Sequence, residues 1–329
     1  MRILRHMLVF LIVGLVVVAS LGCITKTPSE NITLRIGYQP STHQIAEMVA
    51  MEKGWWLEDL RPFGVTAVEE YEFPSGPPEM QAMLAGSLDV AYVGTAPPIS
   101  AIAGGLDAKI VAGVNTNGSA LVLAPDKEYK GPESLKGMSI ATFPPGSIQD
   151  TVLKKWLKEN GIDPSEVKIL PMGPGDAVTA MFAGQVDGSL LPEPSPSVIE
   201  MANRGRVAVY SGEMWPNHAC CSLVVSGKLI REHPELVEQI VKTHIKATEY
   251  VHAHPDEAAR IYANRTKQDL SVVEYSMEHW DGRWISDPHL QIPSTMEYAR
   301  VNYELKYISR MPSEEELFDV SFYDKAWGE

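Results

Sequence analysis

Four turns in this chain of 329 residues combine the residue types that can hold a small polar molecule without a basic side chain. They are Tyr38-Gln39-Pro40-Ser41-Thr42, Ser75-Gly76-Pro77, Gly94-Thr95-Ala96 and Pro145-Gly146-Ser147-Ile148. Each follows or leads into a predicted element, and three directly precede a predicted helix. The first amides of a helix lack intrahelical partners and the helix dipole adds partial positive charge there, so such turns receive anions. Gly76, Gly94 and Gly146 allow the backbone a close approach. Gln39 and the hydroxyls of Ser41, Thr42, Thr95 and Ser147 add polar contacts, although the same hydroxyls also cap helix starts. None of the four turns contains Lys or Arg. An oxyanion held there rests on amides and hydroxyls, which suits a singly charged group better than a phosphate. Glu193 follows a predicted strand end, where its carboxylate is placed either to hold an amine or an amidine-like ring nitrogen, or simply to face solvent. Asn117 lies where the chain crosses between two predicted lobes, a place for hinge or ligand contacts. His218 and Trp215 lie near the return crossing.

Other chemistries have less to stand on. The sequence contains no Gly-X-Ser-X-Gly elbow, phosphate P-loop or dinucleotide fingerprint, and no enzyme activity or cofactor is read from it. No metal site is read either: His252 and His254 lack carboxylates at ligand spacing. Cys220 and Cys221 are adjacent, which makes a mutual disulfide strained. They precede the apolar Leu223-Val224-Val225 and read as buried free thiols, without the spacing that two-cysteine metal or redox sites use. The formal charge is −14. Setting aside Arg2 and Arg5 leaves 26 of the 28 basic residues against 42 acidic ones. No basic field exists to offset phosphates, which excludes a nucleic-acid partner.

The elements that must position these turns alternate between strand and helix. Arg2, Arg5 and His6 precede an apolar run over 7–19, which describes a secretory signal over 1–22. Ser20-Leu21-Gly22-Cys23 resembles a lipobox, with Ser20 where leucine is usual, so Cys23 is the expected lipidation site and 23–31 a tether on the extracytoplasmic face of the membrane; the alternatives are an uncleaved anchor or an ordinary secreted chain. Strands are predicted at 33–38, 65–73, 88–93 and 109–114, separated by helical patterns. An internal echo joins Ala82-Met83-Leu84-Ala85-Gly86-Ser87-Leu88-Asp89 to Ala180-Met181-Phe182-Ala183-Gly184-Gln185-Val186-Asp187. Each copy closes a helix at glycine and enters a strand. The pattern gives an α/β fold of two lobes on one plan: 32–118 as the first part of lobe one, 119–222 as lobe two, and 223–329 completing lobe one. Helices over 234–252, 255–263, 272–279 and 294–310 are expected to pack on lobe one.

From about Asn31 onward the chain resembles the substrate-binding proteins of importers for nitrate, taurine, aliphatic sulfonates and thiamine-precursor pyrimidines. The resemblance rests on an ordered series: Ile36-Gly37-Tyr38, Ala50 to Gly54, Ala85 to Ala91, Leu135 to Ile140, Pro145-Gly146-Ser147, Gln185 to Gly188, and Glu193-Pro194. It implies a two-lobed periplasmic-binding-protein type II fold, with two parallel-rich sheets and the ligand cleft between them. It further implies a monomeric lipoprotein that captures a small oxyanion or zwitterion such as an aliphatic sulfonate, taurine or nitrate. Its partners would be an ABC permease and its ATPase. A taurine-like zwitterion satisfies both the basic-free turns and Glu193. The alternatives are a binder of a thiamine-precursor pyrimidine, an enzyme on the same fold acting on such a compound, or an extracellular sensor domain.

Overall fold

The computed structural model of the chain describes residues 31–328, so the expected signal, Cys23 and most of the tether lie outside the described residues. In chain order the first four strands are β1 (Ile32–Tyr38), β2 (Val65–Glu72), β3 (Val90–Gly94) and β4 (Ala108–Thr116). Five more follow: β5 (Ser119–Leu123), β6 (Ser139–Thr142), β7 (Lys168–Pro171), β8 (Gly188–Pro192) and β9 (Arg206–Tyr210). The last are β10 (Ala219–Ser226) and the short β11 (Arg283–Trp284). One sheet runs β2-β1-β3-β10-β4-β11 and the other β7-β6-β8-β5-β9.

The two sheets repeat one plan. β1 pairs in parallel with β2 and β3, as β6 does with β7 and β8. β10 then pairs antiparallel with β3 and β4, as β5 does with β8 and β9. The sequence echo marks equivalent places in this plan. Asp89 accepts the Arg35 backbone amide at 3.0 Å, and Asp187 accepts that of Ser139 at 2.8 Å. Each therefore ties the entry of its lobe's third strand to the first strand. The carbonyls agree too: Asp89 accepts from the Ser226 amide and Asp187 from that of Ala124, each at 2.9 Å.

Burial explains why the elements form where they do. β10 is buried over Ala219–Val225, as a strand sandwiched between neighbours and covered on both faces must be. The helix Pro234–Ala253 buries Leu236, Val237, Ile240, Val241 and Ile245 at helical spacing. It packs against the helices Ile45–Glu52 and Ser321–Trp327 of lobe one.

Three details differ from the sequence reading. Residues 219–222, expected in lobe two, already belong to β10 and the first sheet. The helix expected to reach residue 310 is Ile292–Glu304, and Lys306 behind it is left-handed with φ 62°. The C-terminal helices also bridge the lobes instead of resting on lobe one alone. Leu270–His279 touches Ser195–Met201, and Ile292–Glu304 touches both Ala96–Ala103 and Ile148–Glu159.

The chain crosses between sheets at Asn117-Gly118 and returns over 211–218. Asp281 ties both crossings. Its Oδ1 accepts from the Gly118 amide at 2.8 Å and its Oδ2 from the Gly212 amide at 2.6 Å. Asn117 sits at this crossing with φ 51° and donates its Nδ2 to the Asp281 carbonyl.

Candidate ligand-binding cleft

A cavity of about 390 Å³ opens between the two lobes at the carboxyl ends of the parallel strands, where ligands of α/β sheets bind. The volume suits a small molecule. Lobe one supplies the turn after β1, with Gln39, Ser41, His43 and Gln44, and also Gly76, Gly94, Cys220 and Cys221. Lobe two supplies Ser147, Ile148 and Gln149, the turn Gly173 to Asp176, and Glu193.

Several of these residues open helices. Gly76 begins the helix Gly76–Leu84, Gly173 precedes Pro174–Phe182, and Ser147 is the N-cap of Ile148–Glu159. The Ser147 Oγ accepts from the Asp150 amide, so its own O–H stays free to donate into the cavity. Ahead of that amide, those of Ile148 and Gln149 are first-turn donors without an intrahelical partner. Across the cavity Gln39 is fixed on both sides: its amide donates to Gln44 Oε1 at 2.7 Å and its Nε2 to Glu79 Oε2 at 2.8 Å. Glu79 is fully buried, and burial pushes its carboxyl well above the usual range, with the Gln39 bond opposing.

The lining carries Glu72, Asp176 and Glu193 and, among the described residues, no Lys or Arg. Glu193 is 3% exposed. Burial raises its carboxyl to about 7, opposed by hydrogen bonds from Ser197. The Glu193 carbonyl accepts from the Thr42 amide at 3.3 Å, so the lobes touch beside it.

Of the residues singled out in the sequence, Gln39, Ser41, Gly76, Gly94, Ser147 and Glu193 line this cavity. The other five lie elsewhere. Thr42 is fully buried behind the turn. Thr95 bonds to Ser222 Oγ at 2.7 Å beneath the floor. Asn117 is at the crossing. Gly146 lines a separate shallow groove with Tyr307 and Pro77. His218 is fully buried, its Nδ1 2.8 Å from Tyr298 Oη, and burial lowers its pKa to about 4. It is a core residue.

The sequence reading missed a cluster on the lobe-one wall. Cys220 and Cys221 are free and buried, as expected, but they also face the cavity together with His43. His43 Nδ1 is 3.3 Å from Cys220 Sγ, its Nε2 is 2.8 Å from the Gly118 carbonyl, and the two sulfurs are 4.0 Å apart. Contact between the thiols makes them unequal. Contact with Cys220 pulls Cys221 down against burial, aided by His43 and Gln44, while the same contact and burial push Cys220 up.

The NMT1-like family model matches residues 27–266 of the chain. The protein belongs to the NMT1-like family. A Bacillus subtilis protein named as an aliphatic sulfonates-binding protein is 30% identical to this NMT1-like chain, over 89% of the chain and 87% of the relative. Solved structures share its fold. The alkanesulfonate-binding protein SsuA of Xanthomonas axonopodis, bound to MOPS, superposes with a TM-score of 0.74 at 23% identity, covering 86% of this chain and 96% of that one. The periplasmic nitrate-binding protein NrtA of Synechocystis gives a TM-score of 0.77 at 16% identity, covering 91% and 89%. These matches establish the two-lobed binding-protein fold that the sequence resemblance implies.

Proposed function

We propose that this protein is the solute-capturing component of an ABC importer, and that its cargo is a small sulfonate carrying an amine, of the taurine type. One observation carries the reading. Helix starts from both lobes line a single small cavity whose lining holds Glu193 and, among the described residues, no Lys or Arg. A sulfonate fits the first feature, since three oxygens sharing one charge can accept from the Ile148 and Gln149 amides and the Ser147 hydroxyl. An ammonium fits the second, opposite Glu193. A bare anion leaves that buried carboxyl as a repulsive neighbour once it ionises. The name of the Bacillus subtilis relative points to the same ligand class.

The protein captures and releases its ligand without converting it. Ligand bridging the two lobes favours the closed form by its differential affinity for closed over open, and the closed form docks on a permease whose ATPase drives transport. Among the described residues no helix is long and apolar enough to cross a membrane. Attachment would come from residues 1–23, with Cys23 lipidated on the extracytoplasmic face. Cys23→Ala should then release the protein from washed membranes, and unchanged membrane retention of that variant would count against lipidation.

The cargo is tested by melting the protein against taurine, ethanesulfonate, nitrate, bicarbonate and a hydroxymethylpyrimidine. Ligand that binds only the native state raises the melting temperature, by about 2.7 kcal/mol of added stability at a hundredfold excess over Kd. Taurine should give the largest shift and ethanesulfonate a smaller one. A shift with the pyrimidine alone would replace the sulfonate reading.

A further inference from the structure

We infer that His43, Cys220 and Cys221 form a Cys₂His binding site for a thiophilic divalent cation of the zinc type, on the lobe-one wall of the cleft. This goes beyond the cargo reading and does not rest on it.

The geometry starts with an irregular strand. Successive side chains of a regular strand point to opposite faces, so neighbouring cysteines on β10 should diverge. β10 instead shifts register against β4 between Ala219 and Cys221 and again between Cys221 and Ser222. Such bulges re-aim side chains and recur beside functional sites. Here both cysteines line the cavity, with their sulfurs 4.0 Å apart. That separation is far beyond a disulfide bond. It is close to the spacing of two thiolates on one ion, since bonds of about 2.3 Å at tetrahedral angles hold sulfurs about 3.8 Å apart.

The third donor comes from the turn after β1, at the same end of the sheet. His43 Nδ1 lies 3.3 Å from Cys220 Sγ, and the three donor atoms all fall within 4.8 Å of one another. Its Nε2 faces the Gly118 carbonyl at 2.8 Å. A carbonyl only accepts, so Nε2 carries the hydrogen and Nδ1 turns its lone pair inward. Fixing the far ring nitrogen on a carbonyl is how metal-bound histidines are oriented. Gln44 adds an outer contact, donating its Nε2 to Cys221 Sγ at 3.6 Å, which steadies charge on that sulfur. All three donors are buried, yet all three line the cavity, so an ion has both a dry seat and an entry route.

Nitrogen and sulfur donors at this spacing select a borderline-soft ion such as Zn²⁺ over Mg²⁺ or Ca²⁺, which take oxygen. Binding turns two thiols into thiolates and releases two protons to solvent. The ion gains three protein ligands, and the fourth tetrahedral position opens into the cleft. The two thiolates balance the charge of the ion, so the loaded site stays neutral overall.

The test uses the full chain, reduced and handled without oxygen, titrated with Co²⁺ and then Zn²⁺ and with no organic ligand present. One equivalent of Co²⁺ should produce thiolate-to-cobalt charge-transfer absorption, which Zn²⁺ displaces. Cys220→Ser and Cys221→Ser should each weaken that band, the double variant should abolish it, and His43→Gln should lower affinity by about tenfold or more. Cys23→Ser should leave the band intact. Circular dichroism melts identify any variant that fails to fold, and the wild-type titration stands without them. No charge-transfer band in the wild-type chain, or a band retained in C220S/C221S and lost in C23S, overturns the site. Either result leaves the cargo reading untouched, because that is measured with organic ligands.

Discussion

At Glu193 the charge of the carboxyl decides what the cleft can hold. Burial raises it to about 7, so the ionised form grows as pH rises through neutrality. Only that form attracts an ammonium. Taurine should therefore bind more tightly at pH 8 than at pH 6, while ethanesulfonate should not gain from the same change. Glu193→Gln should weaken taurine by about tenfold to a hundredfold, the worth of a buried charged hydrogen bond, and remove that difference in pH response. Titration calorimetry of both ligands at the two pH values checks this, and equal loss for both would assign Glu193 a structural role. Gln39, Ser41, Gly76, Gly94, Ser147 and Glu193, which line the cavity, were legible in the sequence because turn chemistry and strand ends are local signals. His43 was not. It directly follows a turn the sequence already singles out, but Cys220 is 177 residues away, and no spacing rule connects them.

The elements of the fold show where local pattern suffices. Repetition of one eight-residue stretch foretold two lobes on one plan, and Asp89 and Asp187 give the physical reason, each holding an amide of its lobe's first strand. Asp187 also pairs with Lys127 at 2.8 Å. Burial opposes its ionisation, but Lys127 and the Ser139 amide and hydroxyl outweigh that and lower its carboxyl to about 2. A depressed carboxyl contributes stability above the ordinary value of 3.8, and this is lost as pH falls toward 2. Asp187→Ala should cost about 1–2 kcal/mol near neutrality and show a flatter loss of stability between pH 4 and 2 than the parent, read by urea melts. A variant with the parent's acid profile would contradict this account of the echo. The β10 boundary was misread because apolar runs mark a buried strand without marking its first residue. The register shifts on either side of Cys221 leave no trace in hydrophobic periodicity.

Across the whole molecule, function depends on how closely the lobes approach. A Cβ added at Gly94 would come 3.2 Å from Ile148 Cγ1 of the other lobe and 3.8 Å from the Cys220 carbonyl. Gly146 differs: a Cβ there meets only Tyr307, at 3.9 Å, but its φ of +84° strains any other residue. A bulky residue at Gly94 should therefore block closure around a ligand, whereas at Gly146 it acts on the backbone alone. Capture in this cleft is tested by calorimetric titration of taurine into the wild-type protein and Gly94→Val at equal thermal stability. One taurine should bind per wild-type chain, and Gly94→Val should lose at least tenfold in affinity. Taurine binding of the same strength in both, or none in the wild type, would contradict capture of an aminosulfonate in this cleft.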